Sequence, residues 1–259
     1  QRRHQKIIEE APAISLSDGL RQKIIQAARQ LIAHTDYRSA ATVEFLVQDD
    51  AFYLLEVNTR LQVEHPVTEM VMGVDLVKAQ LLTALESFRF SQEQIHRPRG
   101  HAIECRIYAE NPYLGGIPST GELGFVEWPY GPHRRFDYGF EAGDEISSYY
   151  DPMIAKIIVW DMSRPLAIKK MYSCLSECII LGVFTNIPFL RKILCHEEFF
   201  NDRHTTQFIS QYFSNPLAAE QFSPEEEALL KKEMDKILKS QIGNKKEENI
   251  SAFSREWRM

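Results

Sequence analysis

Glu56-Val57-Asn58-Thr59-Arg60-Leu61-Gln62-Val63-Glu64 is the stretch that decides how this chain is read. If it stays extended, its side chains alternate between two faces. One face then carries Glu56, Asn58, Arg60, Gln62 and Glu64, and the other Val57, Thr59, Leu61 and Val63. An edge strand with one solvated face gives the same alternation. This polar face differs from an ordinary solvated one because it mixes acid, amide and guanidinium. It also follows Phe52-Tyr53-Leu54-Leu55, which reads as buried.

Just upstream, the apolar runs Thr42 to Val47 and Phe52 to Asn58 flank Gln48-Asp49-Asp50-Ala51, a hairpin signal. Pairing centred near Asp50 sets Glu44 opposite Glu56. Facing carboxylates repel, and a hard cation between them removes that cost. Glu44, Glu56 and Asn58 supply the oxygen ligands that Mg²⁺ takes, with nucleotide phosphates completing the octahedron. Such a cation neutralises charge during phosphoryl transfer. The forked donors of Arg60 suit a planar anion such as bicarbonate. Glu64 could serve as a base toward it. A carboxylate with an ordinary pKa of about 4.3 manages that only where cations such as Arg60 and Lys6 stabilise the doubly charged product. A plain Arg60–Glu64 structural ion pair is the competing reading.

Farther out, Ile14 to His34 reads as a helix capped by Ser17 or Asp18, with Leu20, Ile24, Ala27, Leu31 and Ile32 at helical spacing. Gly73 to Glu86 is a second helix with Asp75 as its cap. Phe88 to Arg99 is polar, holds Pro98 and marks a domain boundary. Beyond it come strand-like runs, His101 to Tyr108, Gly121 to Trp128 and Ile154 to Trp160, then helices over Arg164 to Glu177 and Asn186 to Leu194. The class is α+β, an antiparallel sheet with helices. Ser223-Pro224-Glu225-Glu226 combines an N-cap, Pro at N1 and a capping-box Glu. The helix it opens, 223–240, could dock on the core or lead toward other regions, and after Gly243-Asn244 the chain turns polar and charged.

Composition narrows the function classes. The 259 residues are 44% hydrophobic, enough for a sizeable core. The formal net charge of -6 argues against broad nucleic-acid or anionic-membrane binding. No apolar run reaches the roughly 18 residues of a membrane span, and no signal peptide is visible. Cys105, Cys174, Cys178 and Cys195 read as reduced thiols. Cys174 and Cys178 could share a helix face, but no zinc-spaced partner accompanies them. The chain opens on Gln1 inside a charged run, so it is read as part of something longer.

At this point the residues match a family. Gln1-Arg2-Arg3-His4-Gln5-Lys6, the run from Glu56 to Glu69, Glu104-Cys105-Arg106-Ile107 and Tyr150-Asp151-Pro152-Met153-Ile154-Ala155-Lys156 resemble, in order, the biotin carboxylase module of biotin-dependent carboxylases. Tyr108-Ala109-Glu110-Asn111-Pro112 is most similar to acyl-CoA carboxylase α-chains, with pyruvate carboxylase the alternative. The resemblance implies the C-terminal half of an ATP-grasp domain (1–90), a biotin carboxylase C-terminal domain (99–213) and a helical tail (214–259).

It also implies roles. Glu44, Glu56 and Asn58 fall at the Mg²⁺ or Mn²⁺ positions. Lys6, Arg60, Gln62 and the Val63 backbone fall at the bicarbonate site. Glu64 falls at the base, Arg106 at the group that stabilises the biotin enolate, and Gln1, His4 and Leu46 at nucleotide contacts. Arg135 aligns with a dimer-interface arginine. The implied cofactors are ATP, a divalent cation and biotin on a separate carrier domain. The implied partners are that carrier, a second copy of the chain and a carboxyltransferase subunit. The implied location is the cytoplasm or, in a eukaryote, the mitochondrial matrix.

The family's glycine-rich lid matches nothing in these residues, so the fragment alone is expected to be inactive. His65 reads as structural. Asp151 could approach the biotin site or cap a turn, and Lys156 could be catalytic or solvated. Rival classes are another bicarbonate-phosphorylating ATP-grasp ligase, such as a carbamoyl-phosphate synthetase, and a non-catalytic dimerisation or docking module.

Overall fold

The computed structural model describes residues 2, 5–85, 97–218, 223–226, 228–233 and 236. Along the chain lie β1 (Ile8–Ala11), α1 (Asp18–Ala33), β2 (Thr42–Gln48), β3 (Ala51–Asn58), α2 (His65–Met72), α3 (Leu76–Ala84) and β4 (His101–Tyr108). Then come β5 (Glu110–Asn111), β6 (Ile117–Pro118), β7 (Gly121–Glu122), β8 (Phe125–Glu127), β9 (Arg134–Tyr138), β10 (Glu145–Ile146) and β11 (Met153–Asp161). The last elements are α4 (Arg164–Glu177), β12 (Ile179–Leu181), α5 (Ile187–Leu194), α6 (Glu197–Phe200) and α7 (Phe208–Tyr212).

The centre is a four-stranded antiparallel sheet in the order β1-β4-β11-β9. Its two faces differ because alternate residues of β4 differ. Ile103, Cys105 and Ile107 join Ile157 and Val159 of β11 in the main core, packed on Met171 and Leu175 of α4 and Leu190 and Ile193 of α5. The opposite face carries Ala102 and Ile158, on which Val67 and Val71 of α2 rest. Glu104 and Arg106 continue that second face, so a polar strip runs out from beneath α2. β2 and β3 form their own two-stranded sheet.

Local chemistry explains the ends of the elements. Ser17 caps α1 by accepting from the Leu20 N–H at 3.2 Å, and Asp75 caps α3 by accepting from the Lys78 N–H at 2.7 Å. The Ser223 hydroxyl and the Glu226 carboxylate exchange hydrogen bonds with each other's backbone N–H, the reciprocal pair expected of a capping box. Four elements, β3, α2, β1 and β9, depart from the sequence expectations. The extended stretch ends at Asn58 rather than running to Glu64. α2 then forms from His65, with Pro66 in its first turn, and closes on Gly73, whose left-handed φ of 67° ends the helix before α3. β1 and β9, which carry little alternation, supply both edges of the central sheet. Gln1, His4, the 86–96 part of the expected domain boundary and most of the 214–259 tail lie outside the described residues.

Candidate active site

The β2–β3 hairpin turns on Asp49, whose φ of 52° is one that Asp tolerates. Its register pairs Glu44 with Glu56, and a β-bulge follows between Glu44 and Phe45. The Asn58 amide nitrogen lies between the two carboxylates, donating to Glu56 Oε1 at 2.8 Å and Glu44 Oε1 at 3.1 Å. An amide N–H bridging two acids occupies the place a cation would take. Two carboxylates and an amide that can present its oxygen form a hard-cation donor set, so these residues fit Mg²⁺ or Mn²⁺.

Lys6 joins this group to the loop beyond β3. Its Nζ donates to Glu44 Oε1 at 2.9 Å and to Glu64 Oε1 at 2.7 Å. Burial alone would lower the Lys6 pKa, but the hydrogen bonds it donates to Glu64 and Glu44, together with their charges, outweigh it and the net shift is upward. Arg60 donates to Gln62 Oε1 at 2.9 Å, and Gln62 reaches Glu44 at 3.5 Å. Glu64 turns away from Arg60. Its carboxylate accepts from Lys6 and, at 3.0 Å, from Arg106 Nη2. The local ion pair that competed in the sequence reading is therefore replaced by pairs with Arg106 of β4 and with Lys6, two residues ahead of β1. Burial pushes the Glu64 pKa up, yet the bond from Lys6, backbone bonding and the charges of Lys6 and Arg106 bring it below the ordinary value. Arg60, Gln62, Glu64 and His65 line a cleft of about 540 Å³ together with α3 residues such as Ala79 and Thr83.

Arg106 is nearly buried and ties two acids together: Nη2 reaches Glu64 Oε2 at 3.0 Å, and Glu9 Oε1 lies 2.6 Å from both Nε and Nη2. Two groups go beyond the sequence reading of the site: Lys156, and the pair Glu9 and Glu104. Lys156, left open between a catalytic and a solvated reading, is nearly buried. It donates to the Val63 carbonyl at 2.7 Å and pairs with Asp137 at 3.3 Å. Glu9 and Glu104 face each other across β1 and β4. Burial pushes Glu9 up to about 7 and Glu104 up to about 8.

The remaining candidates make other contacts. Leu46 is half-exposed on β2. Asp151 accepts from the Met153 N–H at 2.9 Å, the turn-capping geometry, beside the exposed Tyr149 and Tyr150. His65 Nδ1 lies 2.9 Å from the Gln62 carbonyl at the start of α2, a structural placement. Arg135 on β9 pairs with Glu69 and Asp137, both at 2.7 Å. Cys174 is buried in the main core.

Comparison with known proteins bears on the fold and the family. Residues 104–211 match the biotin carboxylase C-terminal domain, and residues 1–87 match the ATP-binding domain of the carbamoyl-phosphate synthase L chain. One of the pyruvate carboxylase subunits of Methanothermobacter thermautotrophicus is 48% identical over 213 residues, 82% of this chain and 43% of that protein. The mitochondrial methylcrotonoyl-CoA carboxylase alpha subunit of Arabidopsis thaliana is 47% identical over 224 residues, 85% of this chain and 30% of that protein. Among solved structures, the biotin carboxylase domain dimer of Hydrogenobacter thermophilus 2-oxoglutarate carboxylase, in complex with MgADP, ADP and bicarbonate, superposes with a TM-score of 0.81 at 40% identity. That match covers 85% of this chain and 49% of that one. The chain thus spans less than half the length of these relatives. The ordered motifs and these matches together place the chain with the biotin carboxylases, with the C-terminal domain of that family over residues 104–211.

Proposed function

We propose that this chain supplies the bicarbonate- and biotin-facing half of a biotin carboxylase site within a biotin-dependent carboxylase. The reaction is the ATP-dependent transfer of bicarbonate carbon to biotin on a carrier domain. The observation that carries the reading is the convergence of Lys6, Glu44, Glu64 and Arg106 through hydrogen bonds of 2.7 to 3.0 Å, joining separate stretches of the chain.

Each residue then has a task that follows from its chemistry. Glu44, Glu56 and Asn58 hold the divalent cation, which supplies charge neutralisation at the nucleotide phosphates. Lys6, Arg60, Gln62 and the Val63 N–H hold bicarbonate, a planar anion matched by a forked guanidinium. Glu64 is ionised at neutral pH and takes the bicarbonate proton. Lys6 and Arg106, which depress its pKa, also stabilise the negative charge left on the substrate. Bicarbonate is a poor electrophile, and phosphorylation by ATP converts one of its oxygens into a leaving group. Arg106 then faces the enolate of the biotin ureido group. Gln1, His4 and Leu46 serve as nucleotide contacts. The proposed partners are the carrier domain, a second copy meeting near Arg135 and a carboxyltransferase subunit. The final acceptor class is an acyl-CoA or a 2-oxoacid such as pyruvate.

In the full-length protein, Glu64→Gln and Arg60→Ala are each expected to lower bicarbonate-dependent ATP cleavage by about 10²- to 10⁴-fold, with the circular dichroism spectrum unchanged. Normal turnover in both would remove these assignments. The 259-residue chain by itself is expected to show negligible bicarbonate- and biotin-dependent phosphate release.

A further inference from the structure

The β1–β4 register sets Glu9 directly opposite Glu104. Directly paired residues of antiparallel strands hold their Cβ atoms about 4.5–5.5 Å apart. Both acids belong to the sheet face beneath α2, in the row next to Arg106. Glu104 is fully buried and the Glu9 side chain is 8% exposed. One of their four oxygens is accounted for, since Glu9 Oε1 accepts from Arg106 Nε. Glu9 Oε2 and both oxygens of Glu104 are buried with no hydrogen-bond partner among the described residues. Such orphaned acceptors are costly, and two adjacent charges would add to the cost.

Among the described residues, the neighbouring cations are already committed elsewhere. Lys156, across from Arg106 on β11, is committed to the Val63 carbonyl and Asp137. Lys6 is committed to Glu44 and Glu64. Tyr108 on β4 interacts with Arg106, and α2 contributes the apolar Val67 and Val71. The charges felt by the pair are those of Arg106, Lys6, Lys156 and Glu64. A single proton on the pair satisfies two orphaned oxygens at once, because the protonated carboxyl becomes a donor to its neighbour.

We propose that Glu9 and Glu104 share one proton and act as positioning residues, with Glu9 Oε1 held by both Nε and Nη2 of Arg106 so that Nη2 also reaches Glu64 on the side of the reacting groups. The positioning half of this inference rests on the reading of Arg106 given above; the shared proton does not. With one proton on the pair, Arg106 divides its bonds between Glu9 and Glu64. Loss of that proton places a second negative charge behind Arg106 and draws the guanidinium away from Glu64. The values of Glu9 and Glu104 put this loss on the alkaline side of neutrality.

Two measurements on the full-length protein test the idea. Infrared difference spectra of wild type against Glu104→Gln and against Glu9→Gln, taken without substrate at about pH 7, are expected to show a protonated-carboxyl C=O band in wild type alone. That band bleaches as the pH rises through about 8. A wild type with no such band, or a band that survives both substitutions, overturns the shared proton. The second measurement is the pH profile of biotin-dependent ATP cleavage. The amide in Glu104→Gln still donates to Glu9 but cannot ionise, so the alkaline limb is expected to move up by about one pH unit or more. A uniform loss of rate with an unmoved limb overturns the positioning role. Arg106→Met separates the two claims. Full activity there overturns the Arg106 reading and the positioning role with it, while the infrared band still decides the proton.

Discussion

Lys156 shows how one buried cation can shape a site it does not enter. Its Nζ is held between the Val63 carbonyl and Asp137, so β11 fixes the loop whose backbone is proposed to bind bicarbonate. Lys156→Met keeps most of the stem volume and removes the donor, leaving the Val63 carbonyl and the Asp137 carboxylate short of a partner. A stability loss of about 1–3 kcal/mol is expected, with KM for bicarbonate raised about tenfold (about 1.4 kcal/mol) and kcat changed less. Steady-state kinetics with varied bicarbonate would check this; an unchanged KM would mean the loop holds itself. The sequence pointed to Glu44, Glu56 and Asn58 because hairpin pairing and alternation are local rules. It left Lys156 open because a lysine on a strand is usually solvated, and only the position of Val63 shows otherwise. Glu9 and Glu104 were invisible as a pair for a related reason. Each is an ordinary acid until the β1–β4 register sets them face to face.

Among elements, β1 depends most on distant partners. It is four residues long, and Glu10 pins it at one end of the sheet. Glu10 Oε2 lies 2.8 Å from His101 Nε2 and 2.7 Å from Arg164 Nε, and Oε1 accepts from Arg164 Nη2 at 3.1 Å. Arg164, 4% exposed at the start of α4, also donates to the Phe199 and Phe200 carbonyls and lies over the Phe199 ring. Glu10, Asp202 and His204 have metal-like spacing, but Arg164 and His101 already engage both Glu10 oxygens. Burial would raise the Glu10 pKa, yet the bonds from His101 and Arg164 bring it down from 4.5 to about 2. A carboxyl lowered in the folded state contributes stability that is fully present above the unfolded value and lost as pH falls through the folded one. Glu10 is therefore expected to contribute about 3 kcal/mol above about pH 4.5, declining toward pH 2. Glu10→Gln should cost about 3–5 kcal/mol at about pH 7 by leaving Arg164 unpaired, and it should lose this pH dependence. Urea unfolding across that range measures both; a parallel pH slope in the variant would contradict the assignment. Long, capped or strongly alternating elements, such as α1, β4 and α4, were legible in the sequence. α2 was not, because His65-Pro66 follows a polar run that mimics a continuing strand, and its eight residues give barely two helical repeats.

At the scale of the molecule, burial is uneven. The main core lies between the central sheet, α4 and α5, where Ile157, Met171 and Leu190 are fully enclosed. The hairpin side is different. Tyr53, Leu54 and Leu55 are each more than half exposed, Leu46 and Val47 somewhat less, and Leu20 is the one residue of α1 that is buried. The sequence expectation that Phe52 to Leu55 would be buried is not met within this chain. The reason is physical: β2 and β3 pair with each other and with no further strand among the described residues. Large apolar side chains exposed on both faces of the hairpin favour association in water. The 259-residue chain is therefore expected to self-associate, while the core around Leu190 stays folded. Sedimentation velocity should show a sedimentation coefficient that rises with protein concentration, and Tyr53→Lys with Leu55→Lys should weaken that dependence by placing like charges on the patch. A chain that stays monomeric at every concentration would show that the exposed hairpin is not sticky. A doubly substituted chain that associates as strongly as the parent would move the interface elsewhere. The main core gives an independent control. Leu190→Ala is expected to cost about 2–5 kcal/mol and to lower the unfolding midpoint without changing the association measured on the hairpin side, because the hairpin contributes no side chain to the buried cluster around Leu190.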